Sequence, residues 1–173
     1  LSAPSTLATR KATPLARIEL LVLDVDGVLT DGRLYFGARG ETMKVFHARD
    51  GHGMKLLAAS GVQIAAISGR RSAAVTARMR ELKVKQVVQG CTDKVAALQR
   101  ICASLGTTPL ASACLVDDTV DLPLMSAVGF AAAVADAHPL VREAAHWVAT
   151  AEGGRGAVRE LCDALLRARA GQR

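Results

Sequence analysis

Four short groups of residues have the types and spacing needed to move a phosphoryl group. They are Asp24-Val25-Asp26-Gly27, Ile67-Ser68-Gly69-Arg70, the single Lys94, and Asp117-Asp118 with Asp121 just beyond. Asp24 and Asp117 can place hard oxygens on one Mg²⁺, which prefers one or two carboxylates, retained waters and substrate phosphate oxygens over an all-protein cage. The cation offsets repulsion between a carboxylate nucleophile and a phosphate dianion. Asp24 can then attack phosphorus to give an acyl phosphate. Asp26 can protonate the leaving alkoxide and later activate water. The Ser68 hydroxyl, nearby backbone N–H groups and the Lys94 ammonium can hold the phosphoryl oxygens. Lys94 also balances a carboxylate cluster that is too repulsive to stay ionised without cations.

Each group alone has a plainer reading. Asp24-x-Asp26-Gly27 is a weak motif that also fits an acidic turn. Ser68-Gly69 fits a helix cap, as does Asp117-Asp118, and a lone Lys94 fits a solvated helix position. What favours chemistry is where the surrounding elements put them. Residues 18–25 are a short apolar run that predicts a buried strand, and Asp24 and Asp26 stand at its carboxyl end. Residues 62–67 predict a second strand, ending at Ser68. Residues 86–88 predict a short third strand, and Lys94 opens the helix predicted over 94–105. Residues 113–116 predict a fourth, ending at Asp117. All four groups therefore fall at carboxyl ends of strands, where open parallel sheets bind ligands.

The rest of the chain completes the alternation. Residues 33–46 predict a β-hairpin around Gly37-Ala38-Arg39-Gly40-Glu41. Helices are predicted over 54–60, stopped by Gly61, and over 72–82, 120–127, 140–145 and 156–169. Further strands are predicted over 130–134 and 146–149. Strands alternating with helices imply crossovers and a parallel sheet covered on both faces. The fold class is α/β: a three-layer Rossmann-like fold with a central parallel sheet, and the hairpin is the one departure from the pattern. Residues 1–16 predict a flexible tail before a single domain over 17–173, with a C-terminal segment over 153–173.

Composition narrows the function. The 173 residues suit one domain, and half of them are hydrophobic. Scarce aromatics argue against a stacking platform for single-stranded nucleic acid. The net charge of +6 includes Arg10, Lys11, Arg17, Arg167, Arg169 and Arg173 near the ends, with no long basic run, so no nucleic-acid partner is expected. Cys91, Cys102, Cys114 and Cys162 form no close pair, so zinc is not expected, and free thiols in a reducing cytoplasmic setting are. Residues 1–20 lack a signal-peptide pattern, and no apolar stretch is long enough to span a membrane.

These groups, in this order, resemble the four motifs of the haloacid dehalogenase superfamily of phosphotransferases. The stretches LDVDGVLTDGRLYFG, HARDGHGMKLL, ISGR, DDTVDLPLM, VADAHP and GGRGAVRELCDALL resemble its small-cap or capless branch, the one containing 3-deoxy-D-manno-octulosonate 8-phosphate phosphatases, from Leu23 to Leu166. The resemblance implies a HAD-like fold with a hairpin in place of a cap domain. It implies Asp24 as nucleophile and Asp26 as general acid/base. Mg²⁺ would be held by Asp24, the Asp26 backbone carbonyl and Asp117, with Asp118 orienting metal-bound water and Asp121 behind. Arg49, Asp50 and Gly51 would lie near the substrate sugar, Gly69 would contact the substrate, Arg70 would face its carboxylate, and Arg155 would come from a C-terminal segment folded over an active site. An Arg fork suits a carboxylate better than a point charge does. The family implies a homotetramer in which hairpins such as 33–46 form a barrel and neighbours cover one another's sites.

The expected activity is hydrolysis of an eight-carbon 3-deoxy sugar acid phosphate in the supply of lipopolysaccharide inner core. The alternatives are a nine-carbon sialic-acid-like phosphate and a non-catalytic binding module on the same scaffold. One departure is Val116, where the family usually has glycine before the two aspartates. It leaves two outcomes open, a benign variant or a shifted Asp117, and the retained polar residues favour the first.

Overall fold

Leu20–Leu23 is four apolar residues in a row, all buried, and forms strand β1. A strand apolar on both sides belongs in the middle of a covered sheet, and that is where β1 lies in the computed structural model, which describes residues 11–171. The hairpin follows as β2 (Tyr35–Gly37) and β3 (Gly40–Met43), and then helix α1 (Ala48–Ala59). Next come β4 (Gln63–Ser68), α2 (Ala73–Glu81), β5 (Gln86–Gln89) and α3 (Lys94–Leu105). The chain ends with β6 (Ser112–Val116), α4 (Leu122–Ala127), β7 (Phe130–Ala133), α5 (Pro139–Ala144), β8 (Trp147–Val148) and α6 (Ala157–Ala170).

The main sheet runs β5-β4-β1-β6-β7-β8, and its pairings are all parallel. The chain winds outward one way through β4 and β5, then crosses back to β6 and winds the other way. Right-handed crossovers put α1 and α2 on one face and α3, α4 and α5 on the other. Helix α6 packs along α1 and completes the first layer. The winding reverses between β1 and β6, which opens a crevice beyond their carboxyl ends. In register, Leu23 lies beside Ala66 on one side and Leu115 on the other.

The expected α/β architecture is present, with differences at element ends. Helix α1 starts at Ala48 rather than Met54, so Arg49, Asp50 and Gly51 are helical. Its glycines hide the start from a propensity reading. They are there for close packing: a Cβ on Gly53 would press on Arg159 and Cys162 of α6. The last strand shrinks to Trp147–Val148 and the first to Leu20–Leu23. The tail expected over 1–16 lies mostly outside the described residues. Within them, Thr13 is tied to Gly129 and Leu110, and Leu15–Arg17 is a 3₁₀ turn. Cys102, Cys114 and Cys162 are buried free thiols, and burial pushes Cys114 and Cys162 up to about 12. Among the described residues, no helix is long and apolar enough to cross a membrane.

Candidate active site

The loop after β1 carries Asp24 and Asp26, and buried Thr30 holds it together. The Thr30 hydroxyl accepts from the backbone N–H groups of Gly27 and Gly32 and donates to the Val25 carbonyl. Gly27 sits at φ +81°. A side chain is strained in that left-handed region, and a Cβ there would also overlap Asp117 Oδ2. The β1 loop and the end of β6 therefore touch because residue 27 is glycine. Gly153 and Gly154 pack onto the same loop from the C-terminal side, and the Gly154 N–H donates to the Val28 carbonyl at 2.9 Å.

Three carboxylates converge here. One oxygen each from Asp24, Asp117 and Asp121 lie within 4.8 Å of one another. Lys94 Nζ lies 2.8 Å from Asp24 Oδ1 and 2.6 Å from Asp121 Oδ1. Asp93 caps α3 by accepting from the Ala96 N–H, which fixes Lys94 as the first helical residue. A cation is disfavoured by the helix dipole at that end, and the two carboxylates offset this. Burial and the neighbouring carboxylates of Asp24, Asp121 and Asp118 push Asp117 up to about 7. Burial and Asp24 push Asp121 up to about 6, against the pull of Lys94. Burial raises Asp24 also, against Lys94. Lys94 itself is burdened by burial, yet Asp24 and Asp121 outweigh that and raise it.

One ammonium therefore serves three acids. Asp121 is fully buried, and its Oδ2 has no hydrogen-bond partner among the described residues. An excess of hard, partly unpartnered oxygens at a crevice mouth is the donor set of a divalent cation site. The residues present fit such an ion. Val116 is fully buried and paired with Ala133 at the end of β6, and Asp117 still reaches the cluster.

The crevice is an open cleft of about 630 Å³. Asp24, Asp26, Ser68, Gly69, Arg70, Lys94, Asp117 and Asp118 all line it. The Ser68 hydroxyl accepts from the Arg70 N–H at 3.2 Å, which orders the turn after β4. The cap of α2 is Ser72 rather than Ser68. Asp118 does fill the capping role considered for it: its Oδ1 accepts from the Thr119 N–H at 2.7 Å. Asp121 has its carboxylate in the acidic cluster itself.

Arg49, Asp50, Gly51 and Arg155 do not line this cleft in the single chain. Arg49 is exposed on α1, and Arg155 pairs with Glu152 at 3.3 Å on the surface. Asp50 is buried, and its Oδ1 accepts from the Arg159 N–H in the first turn of α6. His47 precedes α1 without a side-chain cap bond, and His52 is exposed. Two residues that reach Asp26 from the hairpin escaped the sequence reading. Lys44 pairs with Asp26, and Glu41 lies 3.2 Å from Lys44. The only local signal is opposite charges three residues apart at the end of the hairpin, and nothing in it points to Asp26.

The profile of the haloacid dehalogenase-like hydrolases matches residues 86–161. A 3-deoxy-D-manno-octulosonate 8-phosphate phosphatase of Yersinia pestis is 45% identical over 151 residues, covering 87% of this chain and 81% of that protein. The cobalt-bound structure of the corresponding Haemophilus influenzae phosphatase superposes with a TM-score of 0.89 at 40% identity, covering 91% of this chain and 92% of that one. The Moraxella catarrhalis phosphatase, solved with magnesium, phosphate and KDO, superposes at 0.87 with 35% identity, covering 95% of this chain and 92% of that one.

Proposed function

The chain belongs to the haloacid dehalogenase-like hydrolases, alongside their 3-deoxy-D-manno-octulosonate 8-phosphate phosphatases, and from that premise we propose that it hydrolyses this sugar acid phosphate through a phosphoaspartate on Asp24. The observation that carries the reading is the convergence of Asp24, Asp117, Asp121 and Lys94 at the mouth of one cleft. Asp24 attacks phosphorus, the bond from phosphorus to the sugar oxygen breaks, and that oxygen takes the Asp26 proton. Asp26, now a carboxylate, takes a proton from water as the water oxygen bonds to phosphorus. The bond between phosphorus and Asp24 then breaks, phosphate leaves, and the Asp24 carboxylate is restored. Ser68, the Gly69 backbone and Lys94 hold the phosphoryl oxygens throughout.

Mg²⁺ fits the acidic cluster, with Asp24, the Asp26 carbonyl and Asp117 as ligands and Asp118 and Asp121 behind them, and supplies the positive charge that lets a dianion approach a carboxylate. Arg70, at the cleft wall, faces the substrate carboxylate. Arg49, Asp50, Gly51 and Arg155 belong to substrate recognition in the assembled protein, with Asp50 acting through the helix it caps. The assembly is a homotetramer built on the hairpins, supported by the exposure of Leu34, Phe36, Met43 and Val45 on that ribbon. The product feeds the inner core of lipopolysaccharide.

The test is phosphate release from a panel of eight- and nine-carbon sugar acid phosphates, with Mg²⁺ and with chelator. The eight-carbon substrate should lead, and chelator should stop it. Asp24→Asn should fold normally and lose on the order of 10³-fold or more in kcat. Near wild-type turnover in that variant would falsify the phosphoaspartate route, and a nine-carbon preference would move the substrate assignment.

A further inference from the structure

The hairpin does more than leave the sheet; it bends a charged end back onto Asp26 and Arg70, which line the cleft. The Lys44 side chain is only 1% exposed. An ammonium so buried is costly unless carboxylates surround it. Lys44 has two: Asp26 Oδ1, which accepts a hydrogen bond from Nζ, and Glu41 Oε2 at 3.2 Å. The other Asp26 oxygen, Oδ2, faces Arg70 Nε at 3.7 Å, and Arg70 also reaches Glu41 at 3.9 Å. Two acids and two bases, Asp26 among them, thus form a closed ring. The ring is anchored outside itself. Glu41 Oε1 accepts from the Ser72 hydroxyl, and Ser72 caps α2 while its own N–H donates to Gln89 at 2.7 Å. Burial acts to raise Glu41, but Ser72, Lys44 and Arg70 together hold its carboxyl below the usual range. The Phe36 ring covers the Arg70 guanidinium at 5.5 Å.

We propose that Lys44 is a positioning residue for Asp26: the hairpin fixes the side chain that transfers the proton by gripping one carboxylate oxygen, with Glu41 of β3 bracing the grip and Ser72 at the start of α2 anchoring Glu41. The inference rests on the function proposed above, in which Asp26 gives its proton to the leaving oxygen and later takes one from water. Asp26 stands on a loop, and a proton donor misplaced by an ångström can lose on the order of 10²-fold in rate. Rigid support from neighbouring side chains is what holds such a group in place.

The experiment compares leaving groups. An aryl ester such as p-nitrophenyl phosphate expels a stable phenolate and needs little proton donation, whereas a sugar or simple alkyl phosphate needs it. Wild type, Lys44→Met and Glu41→Gln are assayed on both esters, reading kcat and KM for the alkyl ester and the rapid phase of nitrophenolate release for the aryl ester. Thermal melts confirm that each variant is folded. Lys44→Met should lower kcat on the alkyl ester by roughly 10- to 100-fold, with little change in KM or in the aryl rapid phase. Glu41→Gln should act in the same sense but less. The double variant should lose less than the product of the two single losses, since both act on one carboxylate. Equal losses on both esters, or a change confined to KM, would make Lys44 a phosphate ligand or a structural residue and overturn the proposal. A wild type that turns over neither ester overturns the function reading and this one together. A wild type active on both with an indifferent Lys44→Met overturns this one alone.

Discussion

At the scale of single residues, the cleft is organised by an imbalance of charge. Among the described residues, Asp24, Asp117 and Asp121 share Lys94 as their one close ammonium. Asp117 lies up at about 7 and Asp121 at about 6 because burial and mutual repulsion oppose ionisation. The sign for stability follows directly. A carboxyl whose folded pKa is raised binds more protons when folded than when unfolded. Its stabilising contribution is complete below the ordinary value of 3.8 and is lost as pH rises through the folded value. Chelator-treated protein should therefore melt at falling temperature from about pH 4 to about pH 7. Mg²⁺ should restore the melting temperature at the upper end, since an ion that binds only the folded state stabilises it. Scanning calorimetry with and without Mg²⁺ reads both effects. Asp117→Asn should flatten the metal-free slope; a variant with the wild-type slope would dissociate the effect from this carboxyl.

At the scale of elements, two segments distant in sequence support each other through one side chain. Helix α6 begins after Gly156, which offers no side chain to cap it, and Asp50 of α1 accepts from the Arg159 N–H instead. Asp50→Ala should cost about 1–2 kcal/mol in urea unfolding. It should also loosen the start of α6, visible as faster amide exchange over 157–160. An unchanged midpoint would mean that water replaces the carboxylate freely.

The same pair of helices shows what was legible in the sequence. The alternation of strands and helices could be read because β1, β4, β6 and β7 are short apolar runs between glycines and polar turns. That pattern alone puts Asp24, Ser68, Lys94 and Asp117 at one sheet edge, where the structure has them. The start of α1 could not be read, because Gly51 and Gly53 break the apolar period and the reason for them, close contact with Arg78 and with α6, is tertiary. Lys44 and Glu41 could not be read for a related cause. A local pattern reports which face of a hairpin is apolar, but not where the whole hairpin leans. The roles of Arg49 and Arg155 came from resemblance, and the single chain leaves both side chains on its surface.

At the scale of the whole molecule, the hairpin does two kinds of work. Its charged end brings Glu41 and Lys44 onto Asp26 and Arg70. The ribbon also leaves Leu34, Phe36, Met43 and Val45 exposed, with Phe36 at 60%. An exposed two-stranded ribbon is marginal on its own and is stabilised by packing on something, and adjacent apolar side chains on a ribbon mark an interaction surface. Replacing Leu34 and Val45 by Ser should shift the assembly toward monomers in sedimentation velocity while sparing the fold. A wild type that sediments as a monomer at all accessible concentrations would sink the tetramer.

The placement of β1 has a temporal consequence. The strand that delivers Asp24 is synthesised before both of its neighbours, β4 and β6, and the loop behind Asp24 is closed later still, by Gly153 and Gly154. A nascent chain emerging from the ribosome carries Asp24 long before it carries a site. Pairings this distant along the chain are slow to form because a large loop must close first. Reactivity toward phosphate esters thus arrives only after Asp117, Asp121 and the Gly153-Gly154 turn have been made, when the cleft closes around a carboxylate synthesised well before them.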